Sequence, residues 1–204
     1  RDPEMSRGLG DVYKRQSYNS AEIAKKIYLE EHPDAKIHVI DSLSAGGEVD
    51  LLVRKLNHLV AEGLDFDQVV DAITAYQSKT KLLFVLAKVD NLVKNGRLSK
   101  LVGTVVGLLN IRMVGEASKT GTLELLQKAR GQKKAIKAAF DELIKAGYTG
   151  GHITIAHRNN DKFIEQFSAL VREKFAQASI EVLPTSGLCS FYAEEGGLLM
   201  GYEI

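Results

Sequence analysis

Apolar positions in the first part of the chain recur at helical spacing. Ser20–Glu31 carries Ala21, Ile23, Ala24, Ile27 and Tyr28 on one face of a predicted helix. The segments Glu48–Glu62 and Asp65–Gln77 show the same one-sided pattern. Between the first two helices, Lys36–Ile40 is a short β-branched run, which predicts a buried strand. This order predicts an α/β layout, in which ligands bind beyond the carboxyl ends of the strands.

After Lys81 the pattern changes to short apolar runs separated by turn residues. Six strands are predicted, at Leu82–Ala87, Ile111–Ala117, Leu123–Ala129, His152–Ala156, Ile180–Pro184 and Leu198–Glu203. Helices are predicted at Leu101–Leu109, Lys133–Ala146 and Asn160–Gln177. The strands alternate with helices less regularly than in a doubly wound sheet. The second part therefore predicts an α+β domain with a mostly antiparallel six-stranded sheet.

Three segments follow from these patterns. Residues 1–16 contain no periodic apolar pattern, and the stretch Asp11–Gln16 resembles the translation of a sequencing-library adapter, so we interpret 1–16 as a non-native leader. A genuine disordered tail is the alternative. Residues 17–80 are then the remainder of an N-terminal α/β domain, and residues 81–204 form the C-terminal domain.

Composition and charge exclude several classes of function. The 204 residues include 27 basic and 26 acidic side chains, a balance without the basic surface of a nucleic-acid binder. The single cysteine, Cys189, allows no internal disulfide, which favours a cytoplasmic protein. No apolar run approaches the roughly 20 residues that a membrane helix needs.

Familiar catalytic and metal-binding motifs are missing from the sequence. There is no Gly-x-x-x-x-Gly-Lys-Ser/Thr phosphate loop and no Gly-x-Ser-x-Gly elbow. The histidines are scattered, and no pair has metal-ligand spacing with a carboxylate partner. We therefore predict no catalytic residue, no metal and no cofactor.

Ser42 and Ser44 follow the predicted strand and precede Gly46-Gly47. Hydroxyls and free backbone amides at a strand end can donate hydrogen bonds to an anionic head group. Alternatively, either serine caps the following helix.

Two further candidates lie at the ends of predicted strands. His157 could act as an acid, a phosphate carrier or an anion donor, or it could be a turn histidine bonded to the backbone. Arg130 forms a basic cluster with Lys133 and Lys134, which could meet a carboxylate or phosphate or simply face solvent.

Several segments together resemble landmarks of the DegV family in their usual order. They are Val39–Ser42, Asn95–Lys100, Ile155–His157 and the glycine-rich tail from Tyr192 to Tyr202. The most specific piece is Gly96-Arg97-Leu98-Ser99 with the apolar segment that follows. The resemblance covers residues 17–204.

This resemblance implies two α/β domains with a long-chain fatty acid in the cleft between them. It implies that Ser42 is a carboxylate ligand and that Arg130, in the Arg-x-x-Lys-Lys segment, lies near the head group. Tyr192 aligns with the histidine of the family's His-x-Gly-Pro-Gly tail, and Gly196 aligns with its last glycine. A tyrosine hydroxyl can donate to a carboxylate but supplies no positive charge.

We therefore predict a lipid-binding protein that is not itself an enzyme. Its ligand is a long-chain fatty acid, and its partner is the catalytic subunit of a fatty acid kinase, which makes the acyl phosphate. Contact with a membrane surface for lipid exchange is compatible with this function. The alternative is a phosphotransfer enzyme of related fold that uses a histidine, and a third interpretation is a non-functional fragment.

Overall fold

The computed structural model describes residues 16–98 and 110–204. The helices are α1 Gln16–Glu31, α2 Gly47–Ala61, α3 Phe66–Gln77, α4 Asp90–Lys94, α5 Gln132–Lys145, α6 Asp161–Lys174 and α7 Gly187–Ala193. The strands are β1 Thr80–Leu86, β2 Ile111–Ala117, β3 Leu123–Arg130, β4 His152–His157, β5 Ser179–Pro184 and β6 Leu198–Glu203. The predicted leader up to residue 15 and the predicted helix Leu101–Leu109 lie outside the described residues.

Within the described residues, six strands form one sheet in the order β3-β2-β1-β6-β4-β5. Four of the neighbouring pairs are antiparallel, and only β4 and β5 run parallel. Helix α6 makes the crossover that a parallel pair requires. The predicted α/β class, with a mostly antiparallel six-stranded sheet, is confirmed.

Side chains alternate along the central strand β1, so each face of the sheet carries its own buried apolar cluster. Leu83 and Val85 point into the main core, where helices α5 and α6 cover the sheet with residues such as Leu143 and Phe167. Phe84 and Leu86 point to the other face and belong to a second buried cluster. Helix α2 packs on this second face, against β6 and β4.

Two glycines bring the start of α2 directly against the sheet. A Cβ at Gly47 would overlap the carbonyl oxygen of Thr154 and lie 2.7 Å from the nitrogen of Gly201. A Cβ at Gly201 would in turn overlap the backbone of Glu48. Only glycine allows so close an approach of helix and strand backbones. The loop before α2 is thereby placed on the same face of the sheet.

One expectation about secondary structure was wrong, and two short helices were not predicted. Lys36–Ile40 is not a strand, because no described strand pairs with it; Lys36 instead forms an exposed ion pair with Asp67, with 2.6 Å between Nζ and Oδ2. Helices α4 and α7 were not predicted, since five and seven residues are too few to show helical periodicity.

The proposed boundary between residues 80 and 81 falls at the beginning of β1, and it stays a prediction. Helix α2, from the predicted first domain, makes its main contacts with strands of the predicted second domain. No helix in residues 16–98 and 110–204 has the combination of length and apolar character needed to cross a membrane.

A buried carboxyl lies beneath the start of α2. Glu48 is only 6% exposed, and its Oε1 accepts a hydrogen bond of 2.8 Å from the Thr80 hydroxyl. Burial raises the pKa of Glu48, and the neighbouring hydroxyls of Ser44 and Thr80 oppose this shift. The folded protein therefore binds a proton on Glu48 more readily than the unfolded chain does.

We expect Glu48→Gln to stabilise the protein at neutral pH by more than the ~0.5 kcal/mol typical of surface substitutions. The raised pKa gives the wild type a contribution to stability that is full below the ordinary value of 4.5 and is lost as the pH rises through the folded-state pKa. The advantage of the variant should therefore grow with pH. Urea unfolding of both proteins, from below pH 4.5 to neutral pH, measures the difference between their free energies of unfolding.

The matched control is Glu30→Gln, on an exposed position of α1. An advantage of Glu48→Gln that stays constant with pH would show that burial of the Glu48 charge does not limit stability.

Candidate functional site

A cavity of about 430 Å³ lies on the sheet face opposite α5 and α6. This volume is within the range of roughly 300–1,000 Å³ typical of small-molecule sites. Its floor consists of apolar side chains from four strands, namely Leu82, Phe84, Leu86, Ala117, Leu123 and Leu199. Because side chains alternate along a strand, these residues all project from one face. The cavity floor can bury an apolar ligand.

The loop Asp41–Ala45 forms one wall of the cavity. Its position is maintained by Gln77, whose Nε2 donates to the carbonyl oxygen of Asp41 at 2.6 Å. Leu43 adopts a φ of 52°, which is uncommon for a bulky residue. The loop is thus kept in a defined but unusual conformation beside the floor.

Both predicted serines of this loop line the cavity. The Ser44 nitrogen donates to Ser42 Oγ over 3.4 Å, a long contact. The Ser44 hydroxyl is buried and makes no hydrogen bond within 3.5 Å among the described atoms, although it lies near enough to Glu48 to favour the charged form of that carboxyl. Neither serine caps α2, because its N-cap is Gly46 and no side chain bonds there. The helix-cap alternative is therefore wrong for both serines, and neither hydroxyl is bonded to the first turn of α2.

The turn between β2 and β3 faces this loop. Thr120, Gly121 and Thr122 line the cavity, and the Ser118 hydroxyl lies 2.7 Å from that of Thr122. Gly121, with a φ of 72°, lies so close that a Cβ would be 3.2 Å from the Leu43 carbonyl oxygen. The cavity therefore has polar hydroxyls on both sides of this contact.

On the other wall, Arg97 lies against Tyr192 of α7. Arg97 Nε donates to the Tyr192 hydroxyl at 3.0 Å, and its guanidinium carbon is 5.1 Å from the centre of the ring. Among the described lining residues, Arg97 is the only one with a positive charge. Sequence reasoning did not select Arg97 as a ligand residue, although it lies in the most specific landmark segment.

Three other predicted site residues do not line this cavity. His157 lies on the α5–α6 face of β4, by alternation with Ile153 and Ile155. Its Nδ1 accepts a hydrogen bond of 3.2 Å from the Asn160 nitrogen, as the turn-histidine alternative requires.

Arg130 and Gly196 are separated from the cavity in different ways. Arg130 is exposed at the far end of β3 from Leu123, roughly 23 Å along an eight-residue strand. Gly196 forms a turn with a φ of 78°, and its nitrogen donates to the Arg158 carbonyl oxygen at 2.9 Å. Of the six predicted residues, the structure brings together Ser42, Ser44 and Tyr192 at the cavity.

Within residues 16–98 and 110–204, no group of three or more histidine, cysteine, aspartate or glutamate side chains is placed to hold a metal ion. The described lining is an apolar floor bordered by hydroxyls, the Arg97 guanidinium and the Asp41 carboxyl. An apolar pocket with a few polar groups at its edge is typical of sites for amphipathic ligands.

The fold corresponds to a known class of α/β protein. The model of the DegV family, described as an uncharacterised protein family, matches residues 16–202. The chain belongs to the DegV family.

Particular relatives are similar over nearly the whole chain. A DegV domain-containing protein of Streptococcus pneumoniae is 77% identical over 188 residues, which are 92% of this chain and 67% of the relative. The crystal structure of the S. pneumoniae Fatty Acid Kinase (Fak) B3 protein loaded with linoleic acid is also 77% identical, with a TM-score of 0.90 over 92% of this chain and 67% of that one.

A DegV family protein from Eubacterium eligens loaded with heptadecanoic acid is 39% identical, with a TM-score of 0.87 over 91% of this chain and 67% of that one. This chain thus spans about two thirds of the length of these relatives.

Proposed function

We propose that this chain binds a long-chain fatty acid in the cavity. The observation that carries the proposal is the combination of an apolar floor with Arg97, the one cation among the described lining residues. Each buried methylene contributes about 0.8 kcal/mol, so an acyl chain supplies most of the affinity. The related structures loaded with linoleic and heptadecanoic acid support the same ligand class.

Arg97 and Tyr192 together form the head-group site in this proposal. The guanidinium carries five N–H donors in a planar fork that suits a carboxylate, and Nε already bonds to Tyr192. Because the phenolic oxygen accepts that bond, its own hydrogen can point to the ligand. Arg97 thereby supplies the positive charge that a tyrosine at position 192 does not.

The serines of the loop Asp41–Ala45 complete the site. The Ser44 hydroxyl lies near Glu48 without a hydrogen bond shorter than 3.5 Å among the described atoms, so a bound carboxylate would offer it a closer acceptor. The Ser42 hydroxyl makes long contacts of 3.5 and 3.4 Å with the backbone oxygen and nitrogen of Ser44. Unmade hydrogen bonds of buried groups cost free energy, so a ligand that satisfies them is favoured.

In the same proposal, the chain presents its bound fatty acid to the catalytic subunit of a fatty acid kinase. Both proteins would then act in the cytoplasm. The name of the S. pneumoniae relative supports this role. A histidine-dependent phosphotransfer is less favoured, because His157 lies on the opposite sheet face and its Nδ1 is already bonded.

Arg97 and Arg130 are rival candidates for the cation that binds the carboxylate, and the cavity geometry supports Arg97. We expect Arg97→Gln to weaken fatty acid binding by about 10- to 100-fold, since a hydrogen bond to a charged group contributes about 1.5–3 kcal/mol. Arg130→Gln should leave affinity unchanged. Isothermal titration of delipidated protein with palmitic acid measures both, and the reverse ranking would move the head group to Arg130.

We expect Ser42→Ala to weaken palmitic acid binding by about fivefold, because one neutral donor contributes about 1 kcal/mol. The same titration measures it. The control is Ser78→Ala directly after α3, where the Ser78 hydroxyl donates to the Ala75 carbonyl oxygen outside the cavity. Equal affinities of Ser42→Ala and the wild type would remove Ser42 from the site.

The chain alone should make no acyl phosphate from ATP, magnesium and fatty acid. The physical reason is that its sequence lacks a phosphate loop to hold the nucleotide. Chromatography of a radiolabelled fatty acid after incubation measures the product. Turnover that stays with the chain through a second purification step would show an enzyme; turnover that separates from the chain would reveal a contaminating kinase.

A further inference from the structure

Arg97 and the short helix α4 form one structural unit. The nitrogen of Arg97 donates to the carbonyl oxygen of Leu92 in α4 at 2.9 Å. Leu92 is only 3% exposed and anchors the helix in the second buried cluster. The position of Arg97 therefore depends on the position of α4.

Two hydrogen bonds join α4 to the segment that carries Tyr192. Both involve Asn91, the second residue of α4. Its backbone nitrogen donates to Oε1 of Glu194, directly after α7, at 2.9 Å. Its side-chain Nδ2 donates to the Phe191 carbonyl oxygen at 2.8 Å. These bonds hold α4 against α7, and they thereby hold Arg97 against Tyr192.

The backbone of Glu194 is strained. Its φ is 54° and its ψ is −175°, a conformation that glycine adopts readily and that other residues rarely adopt. Such strain persists only where surrounding contacts compensate for it, and it is concentrated at functional sites. The hydrogen bond from Asn91 is a contact of this kind, and a glycine at position 194 could not make it.

We infer that Glu194 is a positioning residue for the head-group site, because its carboxylate holds Arg97 in the orientation that binds the ligand. This inference rests on the proposed binding of a fatty acid carboxylate by Arg97 and Tyr192. Glu194 is not among the described residues that line the cavity, so it acts through α4 and not by touching the ligand. A guanidinium binds a carboxylate with defined geometry, so a displacement of α4 should weaken the contact.

The test compares lauric acid with 1-dodecanol, which has the same alkyl chain without the charge. Both are titrated by calorimetry into delipidated protein. Glu194→Gly suits the backbone but removes the carboxylate. We expect it to weaken lauric acid binding by about five- to tenfold, which is part of the effect of losing the Arg97 charge. Dodecanol affinity should change by less than about twofold, because it depends mainly on the apolar floor.

The sign of this effect separates positioning from simple electrostatics. Removal of a negative charge near the site would by itself strengthen the binding of an anion. Glu194→Gln also removes the charge, but it keeps an oxygen that can accept the bond from Asn91. We therefore expect Glu194→Gln to bind lauric acid at least as tightly as the wild type does, to within about twofold.

Coupling to Arg97 is measured in the Arg97→Gln background. The guanidinium is already missing there, so the addition of Glu194→Gly should change lauric acid affinity by less than about twofold. The two substitutions are then strongly non-additive, as expected for residues that act through one contact.

Glu195→Ala is the matched control. It removes a carboxylate from the next residue, but Oε2 of Glu195 accepts a hydrogen bond of 3.1 Å from Asn159 Nδ2 and lies 3.7 Å from Arg158 Nε. Neither of these partners belongs to α4. The affinities for lauric acid and dodecanol should both equal those of the wild type.

Three results would overturn the inference. The first is lauric acid binding by Glu194→Gly that is as tight as in the wild type or tighter. The second is an equal loss of lauric acid and dodecanol affinity, which would indicate that Glu194 supports only the fold. The third is an undiminished effect of Glu194→Gly in the Arg97→Gln background. Failure of the wild type to bind lauric acid would instead contradict the proposed function itself.

Discussion

The close approach of helix α2 to the sheet is the constraint on which the site depends. Gly47 and Gly201 let the first turn of the helix contact the backbone of β4 and β6 without an intervening side chain. The preceding loop, Asp41–Ala45, is consequently held at the height of the sheet surface. From there Ser42 and Ser44 can face the apolar residues of β1 and β6. A larger residue at either glycine would lift the loop away from the floor.

The two faces of the sheet differ in what they pack against, because side chains alternate along each strand. One face of the sheet forms the main core with α5 and α6, and the other carries the cavity floor. The larger buried apolar cluster thus lies on the sheet face opposite the cavity. The one cation among the described lining residues, Arg97, lies at the cavity wall against Tyr192.

Much of the fold could be predicted because the strands are short, apolar and separated by clear turns. The segment Ile111–Ala117 was predicted with the bounds that the structure shows. Lys36–Ile40 has the same β-branched character, but no described strand pairs with it. The strand predicted there from composition alone was therefore wrong. Helix α7 is too short for its apolar residues to reveal a period.

The candidate site was predictable only in part, for geometric reasons. Ser42 and Ser44 stand out because small hydroxyl residues precede paired glycines. The basic cluster around Arg130 was equally visible in sequence, but the length of β3 places it far from the cavity. Arg97 is isolated in sequence and meets Tyr192 only through a contact 95 residues apart. Such long-range contacts are not visible in local patterns.

The central claim, that this cavity holds a fatty acid, is tested most directly by native mass spectrometry with lipid extraction on protein purified from bacteria. The account predicts a mass that exceeds the chain by that of one fatty acid, which is recovered on extraction. A folded protein that carries no lipid, and that gains none when fatty acid is added, would contradict it.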